Sequence, residues 1–94
     1  MKSITYEQIK DTASQSMVLF SAPWCAPCQN LKKQITDDMN VAICDIEENM
    51  EAAESFFITT VPTVLIFDNK EIKERAMGYI DCLNVIKTKS PALA

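Results

Sequence analysis

Two cysteines, Cys25 and Cys28, stand three positions apart in residues 21–31 (SAPWCAPCQNL), between an apolar run and a helix-like run. Such a pair supports metal ligation, a structural cross-link or thiol–disulfide exchange. Zinc asks for four ligands, ordinarily from paired CxxC motifs or from CxxC with histidines, and this chain has no His and no second CxxC. Cys44 and Cys82 are each isolated in sequence and would complete a Cys-only metal site only by converging in space. That site stays as the lesser alternative, and no metal is expected.

The cross-linking reading depends on the compartment. Residues 1–10 (MKSITYEQIK) lack the apolar core of a secretory signal. No window approaches the ~18 apolar residues of a membrane span. A reducing cytoplasm is therefore the expected location, and there four cysteines are not read as a disulfide framework.

Thiol–disulfide exchange fits the position best, because its reactive species is the thiolate. Cys25 falls where a buried strand ends and a helix begins, so the free N–H groups and positive dipole end of that helix face its sulfur. A dipole contact of roughly 1 to 2 kcal/mol lowers a thiol pKa by about one. Cys28 lies one turn on, on the inward stripe with Leu31 and Ile35, and is expected to be the less exposed sulfur. Cys25 then attacks a substrate disulfide to form a mixed disulfide, and Cys28 attacks Cys25 to release the reduced substrate. Pro27 has no N–H to satisfy and a φ that is already helical, so it fits the first turn. Trp24 offers an apolar wall beside the nucleophile or, equally, a packing aromatic.

The elements that must position these residues follow from periodicity. Thr5 with Gln8 reads as a capping box opening a helix over 6–13, preceded by a small strand near 3–5. The run 17–20 (MVLF) has the length and continuity of a strand buried on both faces, and it points at the CxxC. Cys28, Leu31, Ile35 and Met39 recur at helical steps, which predicts an amphipathic helix from the motif through Met39. A strand over 41–46 completes a right-handed βαβ unit. A helix over 51–57 turns Met50, Ala53 and Phe57 inward. Strands over 64–67 and 71–77, joined by Asp68, Asn69 and Lys70, form a β-hairpin whose turn type is left open. Asp81 is expected to cap a last helix over 82–88, with a fraying tail over 90–94. The order is βαβαββα, an α/β fold in which a mixed sheet is covered by helices.

Composition agrees with one domain over 1–94. Hydrophobic residues make up 48% and charged residues 23%, the balance of a globular protein. A net charge of -4 with no basic block argues against nucleic-acid binding. The acidic cluster Asp45, Glu47, Glu48, Glu51 and Glu54 reads as a solvated face, and Cys44 and Cys82 as packing residues. Thr60-Val61-Pro62-Thr63 by itself is a strand that starts on a proline.

Taken together, WCAPC (Trp24 to Cys28), the VLFSAP lead-in before it, VPT (Val61 to Thr63) and the hairpin VLIFDNKEIKERAMG (Val64 to Gly78) make the chain resemble the thioredoxin family over nearly its whole length. The resemblance implies the thioredoxin fold and a protein-disulfide reductase that carries electrons through a reversible Cys25–Cys28 couple in cell redox homeostasis. It implies a cis Pro62 against the dithiol and a Val61 backbone that pairs with an extended substrate. It further implies room for that segment at Gly78, and an apolar surface completed by Trp24, Ala26 and Pro27. No cofactor and a monomeric state are expected. A flavoprotein reductase is the implied electron donor, and disulfide-containing proteins are the implied substrates.

The chain also departs from the family pattern. Ala26 stands where the family usually has Gly, and the intervening pair tunes the redox couple, 30 mV corresponding to about 1.4 kcal/mol. The family's buried Asp and its Lys partner fall at Leu19 and Ile43, the mid-helix proline falls at Lys33, and the helix after the motif is about two turns shorter. Two other readings stand beside this one. TVP with GYIDCL (Gly78 to Leu83) loosely resembles the glutathione-binding elements of glutaredoxins, which would make glutathione the donor. A thioredoxin fold can also serve as a binding or processivity subunit whose thiols are dispensable.

Overall fold

The computed structural model describes residues 2–12 and 14–89, so Ala13 and the expected fraying tail lie outside the described residues. The chain begins with β1 (Lys2–Ser3), α1 (Tyr6–Asp11), β2 (Ser16–Ser21), α2 (Ala26–Gln34) and β3 (Val41–Asp45). It continues with α3 (Met50–Ser55), β4 (Thr63–Asp68), β5 (Glu71–Met77) and α4 (Tyr79–Lys89). One mixed sheet results, in the order β1-β3-β2-β4-β5. β3 pairs parallel with β1 and β2, whereas β4 pairs antiparallel with β2 and β5.

The period-two alternation of strand side chains divides the core between two faces. Met17, Leu19, Val41, Ile43, Val64 and Ile66 pack with Leu31 of α2 and with Cys82 and Ile86 of α4. Val18, Phe20, Cys44, Leu65 and Phe67 pack on the other face with Ile9 of α1 and Ala52 of α3. β2 and β4 bury both faces, which is why each reads as a continuous apolar run. Phe56 joins the second face through edge contacts with Tyr6, Phe20 and Phe67, with centroids 5.6, 6.0 and 5.1 Å away.

The capping box forms as expected, with Thr5 Oγ1 accepting from the Gln8 N–H and Gln8 Oε1 from the Thr5 N–H. The expected strand before it is shorter and earlier, at Lys2–Ser3. α2 stops at Gln34 rather than running through Met39, and Ile35 is already extended at φ -84° and ψ 122°. Thr36, Asp37 and Asp38 explain the stop: they place carboxylates at the negative end of the helix dipole, and the Thr36 hydroxyl bonds the Asp38 carboxylate. Met39 still packs against the first core face, so the periodicity registered real burial on a backbone that is no longer helical.

Around α3 the expected inward set is out of phase by one. Ala52 and Phe56 point to the core, while Met50 and Phe57 are 67% and 78% exposed. The helix ends at Ser55, and Phe57 takes the left-handed conformation at φ 55°. In the hairpin, Asn69 and Lys70 have φ values of 53° and 69° between paired Asp68 and Glu71. Positive φ at both central residues of a two-residue loop is the type I′ pattern, whose twist matches the flanking strands. Asp81 does not cap α4. Gly78 O accepts the Cys82 N–H at 3.0 Å, which starts the helix at Tyr79 and leaves Asp81 in the first turn, facing the positive dipole end.

Candidate active site

The CxxC lies past the end of the central strand β2. Ala22 O accepts the Cys25 N–H at 3.1 Å and the Gln29 Nε2 amide at 3.1 Å, folding the lead-in back onto the first turn of α2. Cys25 is the N-cap of α2, and its Sγ accepts the Cys28 N–H at 3.2 Å. An orphan donor of the helix terminus is thus spent on the sulfur itself. Cys25 and Cys28 form a disulfide, with Cα atoms 5.2 Å apart. Cys25 keeps 5% of its surface and Cys28 none, in a small cluster with Ala22, Ile46 and Val61.

The Val61–Pro62 peptide bond is cis, and Val61, just before the neighbouring strand β4, packs against the cysteine cluster. The loop is held by several bonds. Thr63 Oγ1 donates to Thr60 O at 2.7 Å, and Pro62 O accepts the Gly78 N–H at 3.0 Å and the Cys82 thiol at 3.5 Å. Gly78 has φ +87°, a conformation that favours glycine, and a Cβ built there meets nothing within 4 Å. Backbone conformation, rather than crowding, therefore requires the glycine.

Trp24 is 66% exposed, and its Nε1–H donates to Glu47 Oε2 at 2.9 Å. Ala26 and Pro27 are exposed beside it. Glu47 is a residue that the sequence reading placed only among solvated acids. Nothing in its spacing announces an indole partner, because the two residues meet only when β2 and β3 pair in parallel. Asn49 is a second residue missed from sequence: its Oδ1 accepts the Tyr6 N–H at 3.0 Å and its Nδ2 donates to Asp45 O at 3.0 Å, tying the β3–α3 loop to α1.

The remaining cysteines stand apart. Cys44 and Cys82 belong to opposite faces of the sheet, and among the described residues no group of three or more His, Cys, Asp or Glu could hold a metal ion. Burial pushes the Cys44 thiol up to about 11, with Asp45 adding in the same direction. Burial likewise pushes Cys82 up to about 11, against a lowering backbone hydrogen bond at Val64 and with Asp81 raising it further. Both are poor nucleophiles near neutral pH. Leu19 and Ile43 face each other across β2 and β3 inside the apolar cluster that includes Leu31.

The thioredoxin family model matches residues 2–88. The chain belongs to the thioredoxin family. Thioredoxin from Bacillus subtilis is 29% identical over 84 residues, covering 80% of this chain and 81% of that one. Thioredoxin from Listeria monocytogenes is 30% identical over 88 residues, covering 84% and 85%. Among solved structures, thioredoxin from Fasciola hepatica superposes with a TM-score of 0.76 at 21% identity, over 93% of this chain and 97% of that chain. The mixed five-stranded sheet of this chain, with its four helices, is the thioredoxin fold. With the Cys25–Cys28 disulfide in place, family membership makes the chain a thiol–disulfide oxidoreductase of the protein-disulfide reductase type.

Proposed function

We propose that this thioredoxin-family chain reduces protein disulfides in the cytoplasm, with Cys25 as the attacking thiol and Cys28 as the resolving one. The observation that carries the assignment is the asymmetry of the pair. Cys25 caps α2, accepts an N–H and retains the accessible surface, whereas Cys28 is fully buried behind it. The Cys25 thiolate attacks one substrate sulfur, and the other substrate sulfur leaves as a thiolate and takes up a proton. Cys28 loses its proton and attacks Cys25, which releases the second substrate thiol and closes the Cys25–Cys28 disulfide. Two electrons and two protons pass to the substrate.

The substrate segment runs extended past the Val61 backbone and Pro62. Trp24, Ala26 and Pro27 form its apolar bed, and the open space at Gly78 receives it. A flavoprotein reductase returns the electrons, and the couple thereby serves cellular redox balance as an electron carrier.

A Cys28→Ser variant is expected to accumulate a mixed disulfide with an oxidised protein substrate, released by dithiothreitol, whereas Cys25→Ser forms no adduct. The reverse pattern overturns the assignment of roles. Supplying glutathione or a flavoprotein reductase with NADPH as the alternative donor identifies the source of electrons.

A further inference from the structure

The wall of the site on the Trp24 side is an apolar groove of about 480 Å³, lined by Trp24, Ile46, Met50 and Ala53 and edged by Glu47 and Glu54. Two of its lining residues adjoin the cysteine pair: Trp24 directly precedes Cys25, and Ile46 packs on the cysteine cluster. Met50 and Trp24 are more than half exposed there, so the groove displays apolar surface that the fold itself does not cover.

Its charge is one-sided. Residues 34–69 contain no Lys or Arg. The ion pairs among the described residues, Lys10–Glu7, Lys73–Glu71 and Lys89–Glu74, use none of Glu47, Glu48, Glu51 and Glu54. The acidic margin continues past Met50 through Glu48 and Glu51 and stops at Glu7 of α1, which Lys10 pairs. Carboxylates without cationic partners around an open apolar slot repel acidic segments and attract basic ones.

We infer that this groove selects substrate segments in which an aliphatic or aromatic side chain near the half-cystine is flanked by Lys or Arg. The apolar side chain enters between Trp24 and Met50, and the flanking cations meet Glu54, Glu51 and Glu48. Because the orientation is set by Cys25 as the attacking thiol, the inference rests on the roles assigned above.

The test uses two cystine-bridged peptides of equal length that share a Leu beside one half-cystine, one with Lys and Arg flanking it and one with Glu in those places. At roughly 20 mM salt the reduced protein is expected to prefer the basic peptide by about tenfold or more in kcat/KM. The preference should shrink to about twofold near 0.5 M salt. In the Glu48→Gln, Glu51→Gln, Glu54→Gln triple variant, which leaves Glu47 on Trp24, the ratio between the peptides should fall to within about twofold. Equal rates in the parent protein, or a preference that survives the triple variant, overturn the inference. Neutral hydroxyethyl disulfide separates the two failures. If it too goes unreduced, the thiol reading has failed and the groove is judged by titrating the cystine-to-serine versions of both peptides. Tighter binding of the basic one then supports the groove, and equal binding overturns it.

Discussion

Leu19 bears on the resolving step proposed for Cys28. Cys28 is fully buried, and a thiol must lose its proton before it attacks. On the strand leading to the motif, the position at which the resemblance implies a carboxylate is an aliphatic side chain facing Ile43. Leu19→Asp is expected to speed the resolving step in single-turnover reduction of a protein disulfide. It should also lower stability by about 3 kcal/mol or more, because an unpaired carboxylate enters an apolar cluster. Stopped-flow kinetics and urea unfolding read the two effects separately. Unchanged kinetics would mean that proton removal from Cys28 does not wait for a carboxylate.

At the level of elements, α3 and its exit carry a correctable strain. Phe57 adopts φ 55° while its side chain is mostly in solvent, and the Arg75 guanidinium donates to Phe56 O at 2.6 Å and Phe57 O at 3.3 Å to hold the exit. An L-residue in the left-handed region costs about 1–2 kcal/mol, and little burial is lost on truncation. Phe57→Gly should therefore raise the stability by about 1 kcal/mol, read as a higher urea midpoint.

The same segment shows where sequence was enough and where it was not. The buried strands β2 and β4, the capping box and the CxxC at a helix start were legible because each is decided by neighbours a few residues away. The phase of α3 depends on which residue the sheet admits, where periodicity alone is ambiguous by one, whereas the stop after Gln34 and the start of α4 at Tyr79 are set by polar and backbone groups at the helix ends that periodicity does not register. Trp24 meeting Glu47 and Val61 meeting the cysteines are products of strand pairing, so the sequence showed Glu47 only as a solvated acid and Val61 only through the family resemblance.

Across the whole molecule, the two buried thiols couple stability to alkaline pH. Cys44 and Cys82 are each raised from the ordinary 9.0 to about 11 on folding. The unfolded chain therefore releases these protons first as pH rises, and their stabilising contribution, complete below about pH 9, is lost by about pH 11. The loss amounts to about 2–3 kcal/mol for each thiol. Urea midpoints should fall between pH 9 and pH 11 in the parent protein. The fall should be visibly shallower in a Cys44→Ala, Cys82→Ala variant, whatever its starting stability. Parallel slopes in the two proteins would contradict the linkage.

The strand order has one more consequence. A sheet that ends in open strands is a template on which other chains can add, and β2 and β4 are the kind of apolar segment that feeds such assembly. Here both lie inside the sheet, with β5 and β1 as its borders. β1 is two residues long, while β5 places Glu71, Lys73, Glu74 and Arg75 along its length and pairs with β4 through an irregular register at Ile66/Phe67. The fold thus keeps its most aggregation-prone segments behind a charged border of irregular register and a stub. Its reactive sulfurs lie beyond the strand ends, where a partner reaches them without adding a strand to the sheet.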